Sequence, residues 1–307
     1  MSIFDDEKTS ELSDTQERLE SYDLDDLPDI AMPEGADDGS ADIGWSTVSR
    51  QGKSLLDAVG ELGRFAADTI RSIPTVRLYP SEVFRQTALL ILGSGLIIML
   101  MVFIMGLECG TEASYILKQF GAPLYSGIFD AFCDLRECLP YMWGWILSAK
   151  VGCGLVAEIG SMRISEEIDV LEVMGVRPMG FVVAARFVGY LIAVPFLFGL
   201  ATMVIFIGSY FATIVQLKTV SSGGFLTVFF LFQSPLDLFF AFVKIMVETA
   251  VIVIVGCYYG YTARGGSVGV GKNTAKSMIV NMIMVSVIGV LGTLIFWGGN
   301  PRAPIVN

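Results

Sequence analysis

Histidine is absent from this sequence, and charged residues are scarce. The 307 residues include no His, and Asp, Glu, Lys and Arg together make up 17% of the chain. Without histidine the chain lacks the usual base of Ser-His hydrolases and a common ligand of zinc enzymes. A hydrophobic fraction of 53% is too high for an ordinary soluble domain. The composition therefore argues against hydrolytic chemistry and indicates a protein that is solvated by lipid.

The acidic residues are concentrated at the N-terminus. Residues 1–42 hold fifteen carboxylates against Lys8 and Arg18, a charge of −13, so the rest of the chain carries +2 of the total of −11. Such a segment cannot bury enough apolar surface to offset the entropy cost of ordering it. We predict a disordered acidic tail over 1–42, which is either a docking tail or a solvated tail without a partner.

Helical periodicity begins after this tail. Between residues 46 and 73, apolar residues recur at helical spacing, with four basic residues among them: Arg50, Lys53, Arg64 and Arg71. The pattern predicts an amphipathic helix on an anionic membrane surface, although a helix packed on another protein would show it too. We assign residues 43–80 to this interfacial helix and a linker.

Five apolar segments follow, each long enough to cross about 30 Å of hydrocarbon at 1.5 Å per residue. They are predicted over 88–107, 139–159, 187–216, 236–261 and 277–297, with a loop over 108–137. The predicted fold class is an all-α membrane protein with five transmembrane helices, preceded by the interfacial helix and the acidic tail. Residues 81–307 form its membrane domain.

The basic residues predict the orientation. With a cytoplasmic N-terminus, the inner flanks of the spans hold nine Lys and Arg residues and the outer flanks hold four. We therefore predict a multi-pass protein of the plasma (inner) membrane, with its N-terminus in the cytoplasm and its C-terminus outside.

One predicted cytoplasmic loop, over 165–178, has the signals of a short helix. Ser165 is a candidate N-cap, and Glu166, Glu167 and Asp169 lie where the helix dipole favours carboxylates. Gly175 and the following proline end the helix. Its apolar positions are predicted to share one face: Ile168, Val170, Leu171 and Met174. The pattern suits docking into a groove of a partner, and an ordinary connector helix would also produce it.

These residues carry a resemblance to a known family. The stretch Glu158-Ile-Gly-Ser-Met-Arg163, the loop 165–178 and Ala185-Arg186 together resemble the signature loop of the MlaE/YrbE family of ABC permeases. Arg136-Glu137-Cys138-Leu139-Pro140 resembles the family's Arg-Glu-Leu-Gly-Pro, with two departures. Ala149-Lys150-Val151-Gly152 resembles its Ala-Gly-Arg-x-Gly, with Lys for Arg. The ending at 297–305 is similar to actinobacterial YrbE permeases that work with Mce proteins, and the resemblance covers residue 46 to the end.

The resemblance implies a permease domain over 81–307, and a pair of permeases, identical or paralogous, above two cytoplasmic ABC ATPase subunits. It implies a coupling helix on the ATPase that includes Glu166, Glu167, Asp169, Leu171, Met174 and Gly175. It places Arg136, Glu137 and Lys244 in a lipid pocket at the dimer interface. The implied function is movement of lipids or other hydrophobic molecules, of the fatty acid, phospholipid or sterol class, between the membrane and extracytoplasmic Mce-domain proteins. We expect no enzyme activity, cofactor, metal or nucleic-acid partner for this chain, because ATP and Mg belong to the ATPase.

Three ionisable residues lie within the predicted spans, namely Lys150, Lys244 and Glu248. Charges at such depth are costly and face a cavity or a partner. Lys244 and Glu248 are four residues apart and could instead form a structural pair, and Glu137 could be a loop carboxylate at the membrane surface. An ion-coupled secondary transporter or channel, which uses the three as a relay, is the alternative function, and a structural scaffold is a third.

Two other patterns were considered. The segment 266–273 approaches the GxxxxGK[ST] phosphate loop, but Asn273 replaces the hydroxyl residue and the segment joins two apolar spans, so we predict a flexible Gly-rich turn. Cys109, Cys133 and Cys138 fall on the predicted outer side, where a disulfide could form but where three thiols cannot all pair. The other two, Cys153 and Cys257, are predicted to pack within spans.

Overall fold

The computed structural model describes residues 45–299, and of residues 45–56 and Ala58 it describes the backbone alone. The predicted acidic tail over 1–42 and residues 300–307 lie outside this range. Residues 56–299 belong to one compact unit, and the contacts below lie within it. Besides a 3-10 helix at Ile73–Leu78, the described range contains eight helices, in chain order α1 Trp45–Ser72, α2 Pro80–Gln119, α3 Pro123–Ile164, α4 Glu167–Val173, α5 Met179–Gln216, α6 Ser222–Phe232, α7 Pro235–Tyr261 and α8 Gly266–Trp297.

The prediction of an all-α protein with five membrane spans is confirmed. Five helices are long and apolar enough to cross a membrane: α2, α3, α5, α7 and α8. The predicted loop over 108–137 is wrong, because α2 continues to Gln119 and α3 begins at Pro123. About twenty apolar residues are enough to cross the hydrocarbon of a bilayer, so an apolar run shows the length of the span and not the length of the helix. The helix can continue into water until a residue breaks it. Gly121, with φ at +71°, provides that break.

The predicted amphipathic helix is present as α1. Phe65 is buried against two rings of α7, with centroids 5.6 Å from Tyr258 and 6.0 Å from Tyr261. The Tyr258 hydroxyl also donates a hydrogen bond to Glu61, at 2.9 Å. Part of the apolar face of α1 therefore packs on the chain's own span, and its contact with a membrane surface stays a prediction.

Helices α2 and α5 pack with their backbones almost touching. A Cβ atom added to Gly106 would lie 2.3 Å from the carbonyl oxygen of Ile205, and one added to Gly208 would lie 2.6 Å from that of Phe103. Small residues allow this approach, and in lipid such packing is what holds helices together.

Helix α3 contains two π-helical turns, Asp134–Cys138 and Ser148–Gly152, between three α-helical segments. A π turn adds one residue to the helical repeat and rotates the side chains that follow it. The first π turn carries Arg136 and Glu137, and the second carries Lys150. Three of the residues selected from the sequence thus lie where the helix departs from regular geometry.

The predicted Gly-rich turn over 266–273 is wrong, because these residues form the first turns of α8. The chain reverses earlier, at Gly265 with φ at +84°. The Asn273 side chain donates a hydrogen bond to the carbonyl oxygen of Tyr259, at 2.9 Å, which fixes the start of α8 against α7.

Candidate functional site

One end of the interface between α3, α7 and α8 is organised around a buried ion pair. Arg136 on α3 donates to Asp237 on α7 at 3.0 Å, and both side chains are at least nine-tenths buried. The indole of Trp297 on α8 donates to the second oxygen of Asp237, at 2.6 Å. The Arg136 guanidinium also lies 4.1 Å from the ring centroid of Phe132. Asp237 was missed by the sequence analysis, although an acidic residue in the first turn after Ser234-Pro235 was the available signal.

Lys244 on α7 forms a second buried contact beside the first. Its ammonium group donates to the carbonyl oxygen of Arg136 at 3.0 Å, to Thr293 on α8 at 3.0 Å and to Glu137 at 3.3 Å. Thr293 in turn donates to the other oxygen of Glu137, at 2.5 Å. The structure therefore brings together Arg136, Glu137 and Lys244 and adds Thr293 to them, while their place in a lipid pocket stays a prediction.

We call Arg136, Glu137, Asp237 and Lys244 the charged cluster. Its two cations and two carboxylates neutralise each other, which lowers the cost of placing them between apolar helices. Lys244 is 2% exposed, whereas the side chain of Glu137 is 46% exposed. Glu137 is thus the member of the cluster that is accessible from the surface of the chain. It belongs to a helix, so its interpretation as a loop carboxylate is wrong.

The three intramembrane polar residues are not brought together. Lys244 bonds to Glu137, so the alternative pairing with Glu248 is wrong. Glu248 is fully buried and its carboxylate has no hydrogen-bond partner among the described residues. It fits there because Gly144 on α3 has no side chain, since a Cβ atom would lie 3.2 Å from a Glu248 oxygen. Lys150 is exposed and lines a cavity of about 150 Å³ that includes Glu158 and Tyr190.

The predicted coupling segment, residues 166–175, contains helix α4. The helix begins at Glu167, and its N-cap residue is Glu166, whose φ of +60° lies in the left-handed region. The predicted cap by Ser165 is wrong. Its hydroxyl lies 2.9 Å from the carbonyl oxygen of Ser161 and 3.1 Å from the carboxylate of Glu167, either of which can accept its proton, and α4 has no side-chain cap.

The predicted end of the coupling segment is confirmed. Gly175 has φ at +78°, its N–H donates to the carbonyl oxygen of Glu172, and the N–H of Val176 donates to that of Leu171. These two bonds form a Schellman motif, which needs a residue in the left-handed region and favours glycine there. The sequence signal at Gly175 was therefore sufficient to locate this helix end.

The coupling segment is anchored by one face and exposed on the other. Ile168 is 1% exposed, Leu171 packs beside it, and Asp169 accepts a hydrogen bond from Arg163 at 2.6 Å. The prediction that all four apolar residues share one face is wrong, because Val170 and Met174 are exposed. The outward surface consists of the following residues: Glu166, Glu167, Asp169, Val170, Glu172, Val173, Met174 and Gly175.

An ion pair between a buried arginine and an exposed glutamate joins the two helices on either side of this segment. Arg186 on α5 is 3% exposed and donates to Glu158 on α3 at 2.6 Å and to the carbonyl oxygen of Val182 at 2.6 Å. Glu158 and Arg186 are the first and last charged residues of the stretch that carries the family resemblance. Their contact fixes the spacing of α3 and α5, and through it the position of the coupling segment.

Comparison with known proteins agrees with this arrangement. The family model described as Permease MlaE matches residues 83–295. The intermembrane phospholipid transport system permease protein MlaE of Haemophilus influenzae is 27% identical over 260 residues, which cover 82% of this chain and 97% of that protein. A probable ABC transporter permease protein of Rickettsia conorii is 25% identical over 252 residues, with the same two coverages. Protein TRIGALACTOSYLDIACYLGLYCEROL 1, chloroplastic, of Arabidopsis thaliana is 26% identical over 170 residues, 53% of this chain and 47% of that protein.

The family match spans more than half of the chain and includes α2, α3, α5 and α7 with the coupling segment between α3 and α5. The chain belongs to the MlaE permease family. It is a multi-pass membrane permease of the ABC transporter class.

Proposed function

We propose that this chain is the permease subunit of an ABC transporter that moves lipids or other hydrophobic molecules between the membrane and extracytoplasmic Mce-domain proteins. The cargo is of the fatty acid, phospholipid or sterol class, and a separate cytoplasmic ATPase supplies the energy. The chain pairs with a second permease, either a copy or a paralogue. It lies in the plasma (inner) membrane with its N-terminus in the cytoplasm.

The exposed surface of the coupling segment is the observation that carries this proposal. A seven-residue helix with its own glycine stop is pinned to the spans by Ile168 and by the Arg163–Asp169 pair. It nevertheless leaves Val173 89% exposed and Met174 63% exposed beside its carboxylates. A connector helix would have no need to present apolar and acidic groups outward. A docking helix needs both, an apolar centre for affinity and charges for orientation.

The charged cluster supports a role in handling the cargo. Cargo binding requires a polar point in an otherwise apolar wall, and Glu137 is the partly exposed member of a cluster that joins three spans. ATP-dependent motion at the coupling segment reaches it through α3, which runs from one site to the other. Transport follows when ATP binding and hydrolysis in the partner shift the permease pair between states of different affinity for lipid.

The test is a charge reversal on the docking face. Glu166→Lys with Glu167→Lys should abolish co-purification of the ATPase and ATP-driven lipid transfer in reconstituted vesicles, because it reverses the charge of the surface that docks on the ATPase. Lys118→Glu, an exposed charge reversal at the far end of α2, is the matched control and should leave both unchanged. Normal transport by the double variant, with the chain correctly assembled, would overturn the proposal.

The alternative, an ion-coupled transporter, needs Lys150, Lys244 and Glu248 to act as a relay. Lys244 instead donates hydrogen bonds to Arg136, Glu137 and Thr293. Among the described contacts, neither Lys150 nor Glu248 forms a hydrogen bond with it. Transport by the purified chain without an ATPase, driven by an ion gradient and lost in Glu248→Gln, would favour this alternative.

A further inference from the structure

Three cysteines from two helices converge at one point. Cys109 lies on α2, and Cys133 and Cys138 lie on α3. Their sulfur atoms are 3.1 Å apart for Cys109–Cys138 and Cys133–Cys138, and 3.6 Å apart for Cys109–Cys133. All five cysteines of the chain are free thiols, and Cys153 and Cys257 lie elsewhere in the spans. We call Cys109, Cys133 and Cys138 the thiol cluster.

The first π turn of α3 is the reason that two of these thiols meet. Residues five apart diverge on an α-helix, whereas the i→i+5 hydrogen bonds of a π turn bring them onto one face. The turn spans Asp134–Cys138 and the N–H of Leu139 donates to the carbonyl oxygen of Asp134, five residues earlier. The side chains of Cys133 and Cys138 therefore lie on one face of the turn, where both sulfur atoms are close to that of Cys109 on α2.

The surroundings of the thiol cluster are acidic. Asp134 is fully buried and accepts a hydrogen bond from Ser209 on one oxygen, while its other oxygen has no hydrogen-bond partner among the described residues. It directly follows Cys133 in the chain and belongs to the same π turn as Cys138. Asp130, one turn earlier, is fully buried as well. Buried carboxyl groups beside three thiols form a region that a cation would stabilise.

A disulfide does not account for this geometry. It would need two sulfurs about 2.05 Å apart and would leave the third thiol without a role. A metal ion uses all three. Sulfurs bound to one tetrahedral zinc ion at about 2.3 Å lie about 3.8 Å from one another, which is roughly 0.2–0.7 Å beyond the observed separations. Small side-chain rotations are therefore enough to admit an ion.

We propose that the thiol cluster binds one thiophilic metal ion of the Zn²⁺ or Cu⁺ type through three thiolates. Thiolate ligands select these ions over the hard cations Mg²⁺ and Ca²⁺. On binding, each S–H proton leaves to water and three metal–sulfur bonds form. The thiols also line a cavity of about 560 Å³ with Met105 and Phe129, which gives the ion a route of entry. Arg136 and Glu137 lie in the same π turn, between two of the ligands, so the bound ion would fasten that turn to α2 and hold the charged cluster in place.

Metal titration of the full-length chain tests the proposal. The reduced, metal-stripped chain in detergent is titrated with Co²⁺, whose thiolate charge-transfer absorption reports sulfur ligation, and then with Zn²⁺ as competitor. A separate titration with Cu⁺, buffered by a chromogenic chelator, distinguishes the two ions. We expect one ion per chain, and an affinity that falls about tenfold or more in Cys138→Ser. Cys153→Ser is the matched control and should bind as the unchanged chain does.

A second measurement requires no variant and so does not depend on a variant folding. Bound Zn²⁺ or Cu⁺ should slow alkylation of Cys109, Cys133 and Cys138, as read by mass spectrometry, and leave Cys153 unaffected. Failure of the unchanged chain to bind either ion, or equal binding after replacement of all three ligands, would overturn the proposal. A disulfide within the cluster, with no metal uptake after its reduction, would overturn it as well. None of these outcomes depends on the proposed transport function.

Discussion

Two groups of charged residues lie near the two ends of helix α3, and they differ in burial. The charged cluster includes residues of α3 itself, and the coupling segment follows its C-terminal end. At the charged cluster, Arg136 is 8% exposed and Asp237 is 2% exposed, and each charge is bonded within the chain. At the coupling segment, Glu166 and Glu167 are exposed. The first end satisfies its charges internally, whereas the second offers them outward.

The difference teaches how to distinguish structural charges from recognition charges in a membrane protein. A charge among apolar helices is costly, so it is usually paired or faces a cavity, and the members of the charged cluster are paired. A charge in water costs little and contributes little to folding, so its placement is free to serve a partner. Substitutions at the first end should therefore change stability, and those at the second should change assembly.

The largest effect is expected where the buried pair is broken. Asp237→Ala leaves the Arg136 guanidinium buried without its carboxylate and leaves the Trp297 N–H without an acceptor. We expect a loss of about 3–5 kcal/mol in the free energy of unfolding. Denaturation of the detergent-solubilised chain by a denaturing surfactant measures it.

Two variants serve as controls for that prediction. Replacing both partners, as in Arg136→Met with Asp237→Leu, should recover most of the lost stability, because neither charge of the pair is then left buried without the other. Asp68→Ala removes an exposed carboxylate 3.7 Å from Arg71 and should have almost no effect. Equal losses in Asp237→Ala and Asp68→Ala would contradict the contrast between buried and exposed charges.

An intermediate effect is expected for Lys244→Met. It removes three hydrogen bonds, but Glu137 can recruit water because its side chain is 46% exposed. A loss of about 1–3 kcal/mol follows, measured by the same denaturation. Lys150→Met is the matched control on an exposed lysine and should leave stability unchanged. If both lysines behave alike, burial does not decide their roles.

The smallest effect on stability is expected at the coupling segment. Gly175→Ala forces a Cβ atom onto a residue with φ at +78° and should cost about 1 kcal/mol. Because the strain is local, hydrogen exchange of the α4 amides should accelerate about fivefold while global unfolding changes little. Gly154→Ala, in α3 with open space around it, should accelerate nothing.

Much of the fold was predictable because lipid imposes strong rules on sequence. Five apolar runs correctly predicted five membrane-spanning helices, and Gly175 correctly predicted the end of α4. Helix boundaries were less predictable: the loop assigned to 108–137 is helical, because apolar length records membrane thickness and not helix length. The cap assigned to Ser165 failed because its hydroxyl found acceptors in Ser161 and Glu167.

The candidate site was predictable in part. Arg136, Glu137 and Lys244 were selected through resemblance, and they contact one another. Their partners Asp237 and Thr293 were not selected, because each comes from another helix and is separated from Arg136 by about a hundred residues or more. The thiol cluster has no recognisable metal motif in the sequence. Its three cysteines come together only because a π turn aligns two of them and a neighbouring span supplies the third.

The sequence by itself determined that the chain is a membrane protein with five membrane-spanning helices, because the periodicity and length of apolar runs are local properties. It also determined where α4 ends, because a glycine in the left-handed region acts over a few residues. Only the tertiary structure decided which charges are paired, which are exposed and which thiols meet. Those outcomes depend on the π turns of α3 and on the approach of α7 and α8, and a rotation of one residue in a helix changes every partner that follows it.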